Sequence, residues 1–455
     1  MKRLGFTAIL AAILAGCVSV DEDVRMARES IAAGTPAAAV PWSENVATNS
    51  IYSKNLGKVD AGRIALLAGD SVKAEGWFRL AIDSAVDRKE NTPTIKLGDV
   101  GNDALAATVT DDRTREYYLA PYEINLALCY GIIAELMNGK REDALVDARL
   151  AVYIQDSLAK TYGEDLKKSA PKADEKATSA GAGIYEEQSA ALMDMMASTR
   201  NSWENPVLWW LTGALFEADG DTEMAWQSYR KAAACRPDNP VFAADAARAN
   251  GGVRTPSQKC AKLLVIYDDG LVPQRQSLKI PVPIYTAMSI DIPMYKDKAA
   301  YHPNAVAISG LTNLVAAAPA LDIRALAARD LDEKLPGVIV RNITRAAVQA
   351  GAQAAVNASG NEYAKLAVLA VNAVATAVRR ADTRSWATLP DGQQVWSEGA
   401  MAPGEYRIGV SVNGRTVAVP VSLAAGDAKL VWISDCGNLF RTGVMSLNDY
   451  GASRR

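Results

Sequence analysis

The residue whose chemistry the sequence states most directly is Cys17. Residues 14–16, Leu-Ala-Gly, precede it, and before them a basic pair is followed by an apolar run over residues 4–13. A basic end, a short apolar core and small residues are typical of a secretory signal, and a cysteine directly after Leu-Ala-Gly is typical of a bacterial lipoprotein. We therefore predict a signal peptide over residues 1–16 and a lipid on Cys17. Several acyl chains would anchor the protein stably, because each buried methylene contributes about 0.8 kcal/mol.

The residue after this cysteine indicates where the anchored protein would reside. Val18 stands where an Asp would retain a lipoprotein in the inner membrane of many Gram-negative cells. We therefore expect the periplasmic face of the outer membrane. No later stretch is an uninterrupted apolar run of about 20 residues, so we expect no membrane-spanning helix after the signal.

The sequence offers no set of residues with the spacing of a common catalytic motif. His302 is the only histidine, so it lacks the partners for a metal cluster or a His–nucleophile pair, and we expect it in a surface loop. The usual signatures of hydrolases, zinc proteases and nucleotide-binding loops are absent. Glu186 and Glu187 lie in a polar stretch and look solvated, whereas a glycan-cleaving enzyme needs a carboxyl group in an apolar cleft. We predict no enzymatic activity, no cofactor and no metal.

The cysteines give no sign of a metal or redox site. Besides Cys17 there are Cys129, Cys235, Cys260 and Cys436, and no pair has the CxxC spacing. An oxidising envelope would permit a disulfide, and Cys235 and Cys260 are the nearest pair in the sequence, so that bridge stays open as an alternative. Cys129 lies in an apolar helical pattern and is expected in the core.

Three residues form the most distinctive polar stretch. Asp382, Arg384 and Trp386 lie where a predicted helix gives way to a Leu-Pro strand. Arg and Trp side chains bind carboxylates and sugar rings, which makes these three residues candidates for a binding site. The alternative, which we favour, is structural: Asp382 pairs with Arg384 or with Arg380, and Trp386 fills the joint between helix and sheet.

Composition limits the classes of function. The 455 residues include 49 Lys and Arg against 52 Asp and Glu, so no basic surplus indicates a nucleic-acid partner. Hydrophobic residues make up 49% of the chain, which supports packed cores rather than disorder. The length is sufficient for two or three domains.

Three regions of the chain must position these residues. Residues 17–50 are small and polar and predict a lipid anchor and tether. Residues 51–248 are helical in pattern and contain an internal repeat. Its clearest copy, at 205–238, has seven residues at the spacings of a tetratricopeptide repeat, in which small residues let two helices approach and aromatic residues fill the space between them: Trp209, Gly213, Phe216, Ala225, Tyr229, Ala232 and Pro237.

Two weaker copies precede it. The equivalent alanines, Ala74, Ala144 and Ala225, are separated by 70 and 81 residues, so we expect an interrupted array of helix pairs. An insertion at 160–185 is rich in Lys, Ala, Gly and Ser and predicts a mobile loop. Stacked helix pairs expose a concave face suited to an extended peptide or a helix. Alternatively, the pairs buttress the second domain, and the sequence does not separate these two interpretations.

Residues 260–435 predict a mixed α+β domain with an antiparallel sheet and a helical hairpin. Strands are expected at 262–267, 277–284 and 289–294, and Asn413-Gly414 predicts a tight hairpin between 405–412 and 416–423, with a third strand at 428–433. The helical hairpin comprises 338–358 and 362–380, broken by Ser-Gly-Asn. The second of these helices is apolar nearly all round, which favours burial over contact with a membrane or a partner helix.

The stretch 380–390, Arg-Ala-Asp-Thr-Arg-Ser-Trp-Ala-Thr-Leu-Pro, resembles the Ala-Asp-x-Arg-Ser-Trp-x-x-Leu-Pro signature of an uncharacterised family of bacterial lipoproteins. The resemblance covers most of residues 110–433 in the same order, including the repeat at 205–238 and an Asp-Gly-Leu-Val-Pro turn. It implies a lipid anchor, tetratricopeptide-like helices and a C-terminal domain, but no activity, cofactor or catalytic residue. Ile132 departs from the repeat pattern, where a small residue is expected.

The sequence therefore favours a non-enzymatic envelope lipoprotein, a scaffold or regulator that binds another envelope protein whose identity it does not give. The alternatives are a cell-wall hydrolase that uses a carboxylate and a module that binds peptidoglycan or lipid. A buried acidic residue in a deep groove would favour the hydrolase, because a scaffold needs none.

Overall fold

Helices and strands alternate irregularly along the chain in a mixed α+β fold with largely antiparallel sheets. The computed structural model describes residues 22–87, 93–96, 112–168, 175–282, 289–310, 314–358 and 380–448. The helices are α1 (22–32), α2 (Val40–Asn49), α3 (Lys54–Ala68), α4 (Ser71–Ala85), α5 (Pro121–Met137), α6 (Arg141–Lys168), α7 (Glu175–Ala190), α8 (Met193–Met196), α9 (Pro206–Asp219), α10 (Thr222–Cys235), α11 (Pro240–Asn250) and α12 (Ile323–Ala358).

The strands fall into four sheets. Two are simple pairs, and the others are a five-stranded sheet, here the central sheet, and a four-stranded sheet, here the outer sheet. The strands are β1 (Val86–Asp87), β2 (Thr94–Ile95), β3 (Ala261–Asp269), β4 (Arg275–Pro281), β5 (Ser289–Tyr295), β6 (Ala307–Ser309), β7 (Val315–Ala316), β8 (Ala318–Asp322), β9 (Gly392–Met401), β10 (Gly404–Val412), β11 (Arg415–Leu423), β12 (Ala428–Cys436) and β13 (Leu439–Ser446).

Three helix pairs are built by the same local chemistry. In α3–α4, α5–α6 and α9–α10 a glycine with positive φ follows the first helix: Gly69 at 88°, Gly139 at 71° and Gly220 at 92°. Glycine is suited to this position because a Cβ atom penalises the left-handed conformation. Asp70 and Asp221 then cap the next helix, because each carboxylate accepts a hydrogen bond from a backbone N–H three residues on.

In two of these pairs, a glycine of the first helix packs against an aromatic ring of the second helix. A Cβ on Gly213 would lie 2.8 Å from the Tyr229 ring, and a Cβ on Gly62 would lie 2.8 Å from the Phe78 ring. The rings therefore occupy the space that only glycine leaves open. Ala225 is buried beside this contact in α10.

The central sheet has the order β13-β12-β3-β9-β8, and the outer sheet has the order β11-β10-β6-β7. All neighbours in the two sheets are antiparallel except β3 and β12, which are parallel. The Asn413-Gly414 hairpin pairs β10 with β11 as predicted. The strand predicted at 428–433 is present as β12, and it lies in the central sheet, between β3 and β13, rather than beside that hairpin. The sheet also continues to Ser446, beyond the predicted end at 435.

The central sheet is covered on both faces. In β3, Leu264 and Ile266 join the core shared with the helices, whereas Leu263 and Val265 join the core shared with the outer sheet. Every residue of this strand is buried, which explains why its sequence is an apolar run rather than an alternation. The layers are therefore the outer helices (α4, α6 and α10), the inner helices (α3, α5 and α9), the central sheet and the outer sheet.

The first described residues are not a tether. The prediction for 17–50 is wrong from residue 22 onward, where α1, a short 3-10 helix at Pro36–Ala39 and α2 follow one another. Ala27 and Ile31 of α1 are buried, and the Asn438 N–H donates a hydrogen bond to the Ala32 carbonyl at 2.8 Å. Small apolar residues at helical spacing had been mistaken for a flexible linker. The signal peptide and Cys17 lie outside the described residues.

The predicted mobile loop at 160–185 is also wrong for the residues that are described. α6 continues to Lys168 and α7 begins at Glu175, and α7 packs on α12 through Gly181, against Ile339 and Ile343. The small residues that suggested a loop instead permit close helix packing. Pro171 lies outside the described residues.

The predicted helical hairpin near 338–380 is different in the structure. Its first helix is the second half of α12, which runs without interruption through Pro336. The second helix, at 362–380, lies outside the described residues except for Arg380. No described helix is long and apolar enough to cross a bilayer.

Candidate functional site

The signature segment lies between the helices and the sheets. Asp382 pairs with Arg384, one of the two partners considered, at 2.7 Å between Oδ2 and Nη2. The Arg384 guanidinium also donates to the backbone carbonyls of Tyr52, Arg115 and Asp112 at 2.9–3.1 Å. Its side chain is only 12% exposed. The guanidinium therefore holds together the segment before α3 and the segment before α5.

Trp386 is fully buried against the rings of Phe78 and Tyr130, at centroid distances of 6.1 and 6.2 Å. Its indole N–H donates to Thr388 Oγ1 at 3.0 Å, and Thr388 donates in turn to Asp60 at 2.8 Å. This chain connects the segment to the middle of α3. Burial raises the pKa of Asp60 to about 7.

Glu123 fastens the same segment to α5. Its carboxylate accepts hydrogen bonds at 2.9 Å from the Trp386 N–H, the Ala120 N–H and the Tyr117 hydroxyl. Burial raises the pKa of Glu123, and the two backbone donors oppose that rise. Asp382, Arg384 and Trp386 thus lie together, and their contacts are internal, as the structural interpretation of the signature expects.

A second buried network joins α3 and α5 to the central sheet. The Arg63 guanidinium lies 2.9 Å from the Asp268 carboxylate, and both side chains are completely buried. Asp268 also accepts from the Trp432 indole at 2.9 Å, from Gln393 at 2.7 Å and from the Tyr130 hydroxyl at 3.1 Å. Several donors therefore stabilise the carboxylate where the inner helices meet β3, β9 and β12.

A third network joins α9, α10 and α11 to the start of β3. The Lys262 ammonium donates to Glu217 at 2.9 Å, to Tyr229 at 2.9 Å and to Asp245 at 3.1 Å. Arg248 bonds both of these carboxylates as well. Burial opposes ionisation of Glu217 and Asp245, but the two cations outweigh it and hold both pKa values below their usual range.

The sequence does not reveal the Asp268 network or the Lys262 network, because charged residues in helices and strands are usually solvated. The signal that could have revealed them is the apolar character of their surroundings. Arg63 is followed by Ile-Ala-Leu-Leu, and Lys262 is followed by Leu-Leu-Val-Ile-Tyr. A charge at such positions is stable only with a buried partner.

The predicted repeat residues are brought together in α9 and α10. Trp209, Phe216, Tyr229 and Ala232 are buried with Ala225, while Pro237 is exposed just after α10 ends at Cys235. The inner helices α3, α5 and α9 face the sheets: α3 through Arg63, α5 through its contact with β13 and α9 through its contact with β8. The face predicted to bind an extended peptide is thus covered by the protein's own sheet.

An open groove remains at the end of the third helix pair. It has a volume of about 400 Å³ and is enclosed by the start of α10, the end of α11 and the segment that follows α11. Its wall includes the partly buried Trp226, and Val253 and Arg254 are exposed at its side. The lining residues are Glu217, Thr222, Glu223, Ala225, Trp226, Ala249, Asn250, Gly252, Val253 and Arg254.

The remaining polar candidates form no assembled site. Cys129, Cys235, Cys260 and Cys436 are free thiols, so the Cys235–Cys260 bridge is not formed, and Cys129 is buried as predicted. His302 is exposed in an irregular segment. Within the part of the chain that the structure describes, no group of three His, Cys, Asp or Glu residues is arranged to hold a metal ion.

Comparisons of the chain with models of protein families, with curated proteins and with solved structures find no match.

Proposed function

We propose that this protein is a lipid-anchored scaffold or regulator of the cell envelope, held by Cys17 at the periplasmic face of the outer membrane, which binds another envelope protein without chemical turnover. The observation that carries the proposal is the covered inner face of the helix pairs together with the groove left open on α10 and α11. The pairs buttress the sheets, and the groove is the surface left for a partner.

The groove is suited to a segment of another protein. An aromatic side chain, Trp226, and an aliphatic one, Val253, stand beside the charged groups of Glu223 and Arg254. Aromatic and arginine side chains are enriched among residues that dominate binding energy in protein interfaces. Below them, the Lys262 network fixes the relative positions of α9, α10 and α11, so the groove is formed before a partner arrives.

The hydrolase alternative gains no support from this groove. Its buried carboxylate is Glu217, whose pKa is held below the usual range by Lys262 and Arg248. A general acid in glycan cleavage needs a raised pKa, so that it carries a proton to donate. Glu135 does have a pKa raised to about 8, by burial and by the nearby Asp147, but it is not among the residues that line the groove.

We also propose that the three helix pairs are divergent tetratricopeptide-like repeats and that the chain belongs with the lipoproteins that share its 380–390 signature. The glycine turns, the aspartate caps and the Gly–aromatic contacts at Gly62 and Gly213 support a common origin for the pairs. The buried contacts of Trp386 give a physical reason for a signature at this position, since it fastens the helices to the sheets.

Photocrosslinking in cells tests the docking site. A photoreactive amino acid at Val253, on the groove, should capture one envelope protein, and capture should fall when Trp226 is changed to Ala. Val146, on the outer helix α6, is 53% exposed against 56% for Val253, which makes it the matched control. Equal capture from both positions would contradict the groove. Release of soluble fragments from isolated cell wall by the purified protein would contradict the non-enzymatic proposal.

The anchor has a separate test. Cys17→Ala should abolish metabolic labelling with a lipid analogue and leave an unprocessed precursor. Equal labelling of the wild type and the variant would rule out lipidation at this residue.

A further inference from the structure

The described chain begins with a helix that is fastened to the body. Ala27 and Ile31 of α1 are buried, Arg28 donates a hydrogen bond to the Ala387 carbonyl, and the Ala32 carbonyl accepts from the Asn438 N–H. Residue 22 therefore moves with the folded protein. Four residues separate it from residue 17, and the five Cα-to-Cα steps span at most about 18 Å.

The end of α1 lies near the end of α3. Ala32 contacts Asn438 in the turn between β12 and β13, and in β13 the Arg441 guanidinium donates to the Leu67 carbonyl at 2.8 Å. Leu67 is the last residue but one of α3. This contact places the C-terminal ends of the two helices on the same side of the molecule.

The middle of α1 lies near the middle of α3. The charge of the Asp60 carboxylate acts on the Arg28 guanidinium. Arg28 also donates to the Ala387 carbonyl in the signature segment, and the next residue, Thr388, donates a hydrogen bond to Asp60. The two helices consequently run in the same direction. The first turn of α1 then lies beside the first turn of α3.

Large apolar side chains are exposed at this end. Ile51 is 76% exposed, Tyr52 41% and Tyr118 40%, and Met26 on α1 is 50% exposed. Tyr52 and Tyr118 are brought together because the Tyr117 N–H donates to the Tyr52 carbonyl at 2.7 Å. Contiguous apolar side chains on a surface mark an interaction site, whereas single ones are ordinary.

The charges nearby favour no strongly anionic or cationic partner. On α1, Glu22 and Glu29 both pair with Arg25. At the start of α3 the charges are of both signs, since Glu116 and Lys54 both lie near Lys58. Apolar and aromatic side chains therefore define this surface. Tyrosine is enriched where membrane proteins meet the headgroup region, because its ring is apolar and its hydroxyl is polar.

We propose that Met26, Ile51, Tyr52 and Tyr118 form a membrane-facing patch that lies against the lipid headgroups beside the anchor. The proposal rests on lipidation of Cys17, which sets the reach of the chain. The acyl chains hold the first turn of α1 within about 18 Å of the bilayer, and the patch is the surface beside that turn. The groove near Trp226 would then be held at a fixed orientation to the membrane.

The test uses the full lipidated protein in vesicles of phosphatidylcholine that contain a photoactivatable phosphatidylcholine analogue. After illumination, mass spectrometry locates the crosslinked lipid. Val72 is the matched control, because it is 70% exposed and lies just beyond the other end of α3, about 20 Å along the helix from Ile51. We expect roughly tenfold more lipid on the peptide containing Ile51 and Tyr52 than on the peptide containing Val72, with little dependence on salt.

The double variant Ile51→Glu, Tyr52→Glu should lose the crosslinks at Tyr118 while the protein stays in the vesicle fraction, and Val72→Glu should lose none. Equal labelling of the two peptides in a protein whose Cys17 carries lipid would overturn the patch and leave the proposed anchor intact. A mature protein whose Cys17 carries no lipid would overturn the anchor and the patch together.

Discussion

The inner and outer helices come from the same three pairs but differ in what they contact. Residues 121–136 of the inner helix α5 are all buried, whereas the outer helix α10 buries only the stripe Ala225, Ser228, Tyr229 and Ala232. The inner helices are covered by the outer helices on one side and by the central sheet on the other. A helix apolar all round needs a second covering layer, and here the chain supplies that layer itself.

This difference changes how the predicted repeat is interpreted. In a free-standing stack of helix pairs the inner face is a binding surface. In this protein the inner face carries buried charges such as Arg63, whose partner Asp268 belongs to the sheet. The outer helices carry exposed charges, such as Lys73 on α4, which is paired with Glu44 at the surface. The inner layer therefore stabilises the fold, and the proposed function places recognition at the groove.

Removing a charge from each layer should show the largest contrast. Arg63→Ala would leave Asp268 buried without its cation, which costs about 3–5 kcal/mol of unfolding free energy. Lys73→Ala removes an exposed pair worth about 0–1 kcal/mol. Chemical denaturation of the chain starting at residue 18 measures both. Similar losses of unfolding free energy for the two variants would contradict the distinction between the inner and outer layers.

Removing a tryptophan should show the same contrast between the signature segment and the groove. Trp386→Ala empties a fully buried site between Phe78 and Tyr130 and should cost about 3–5 kcal/mol. Trp226→Ala acts at a partly buried position and should cost about 1 kcal/mol. The melting midpoints of the two variants measure this difference. A destabilisation by Trp226→Ala as large as that of Trp386→Ala would mean that the groove is part of the core.

Overpacking tests the contact within the third pair. Ala225 is 2% exposed beside the Gly213–Tyr229 contact, so Ala225→Leu should cost about 1–3 kcal/mol. Ala234, on the exposed side of α10, is the matched position, and Ala234→Leu should change stability by less than about 0.5 kcal/mol. An unchanged melting midpoint for Ala225→Leu would contradict the close approach of α9 and α10.

The ionisation of Asp60 makes the stability of the inner layer depend on pH. The folded pKa of about 7 lies above the unfolded value of about 3.9, so folding favours the protonated form. The stability it contributes is fully present below about pH 4 and is lost as pH rises through about 7. Each pKa unit corresponds to about 1.4 kcal/mol.

Asp60→Asn keeps an acceptor for Thr388 and should reduce the loss of stability between about pH 4 and pH 8. Denaturation curves at both pH values measure the difference. Asp83→Asn, at an exposed position, is the control for the effect of the substitution itself. A pH dependence unchanged by Asp60→Asn would show that Asp60 does not titrate in this range.

The helix pairs and the hairpin at 405–423 were predictable from the sequence, whereas other local elements were not. Turn glycines and aspartate caps marked the helix pairs, and Asn413-Gly414 marked the hairpin, because both signals depend only on backbone conformation. The strand β9 was missed, since Gln393 and Gln394 interrupt its alternation. Both are buried, and they donate to Asp268 and to the Asn304 carbonyl, partners more than 80 residues away that no local pattern reveals.

The candidate site was only partly predictable. The signature residues Asp382, Arg384 and Trp386 stood out as a polar stretch, but their partners lie on α3, α5 and neighbouring segments. The groove is formed by the ends of two helices and the segment after α11, so it depends on how α11 packs. That packing is set by the Lys262 network, in which Asp245 and Arg248 are too ordinary in sequence to be singled out.

Amide hydrogen exchange of the chain starting at residue 18, in increasing denaturant, tests most directly whether the helix pairs and the sheets are one structural unit. Because α5 and β3 share one core and the Asp268 network, peptides from both should open with the same free energy, within about 1 kcal/mol, and Arg63→Ala should lower both equally. Independent opening of the α5 peptide at lower denaturant, with β3 still protected, would contradict the account, because the inner helices would then not depend on the sheet.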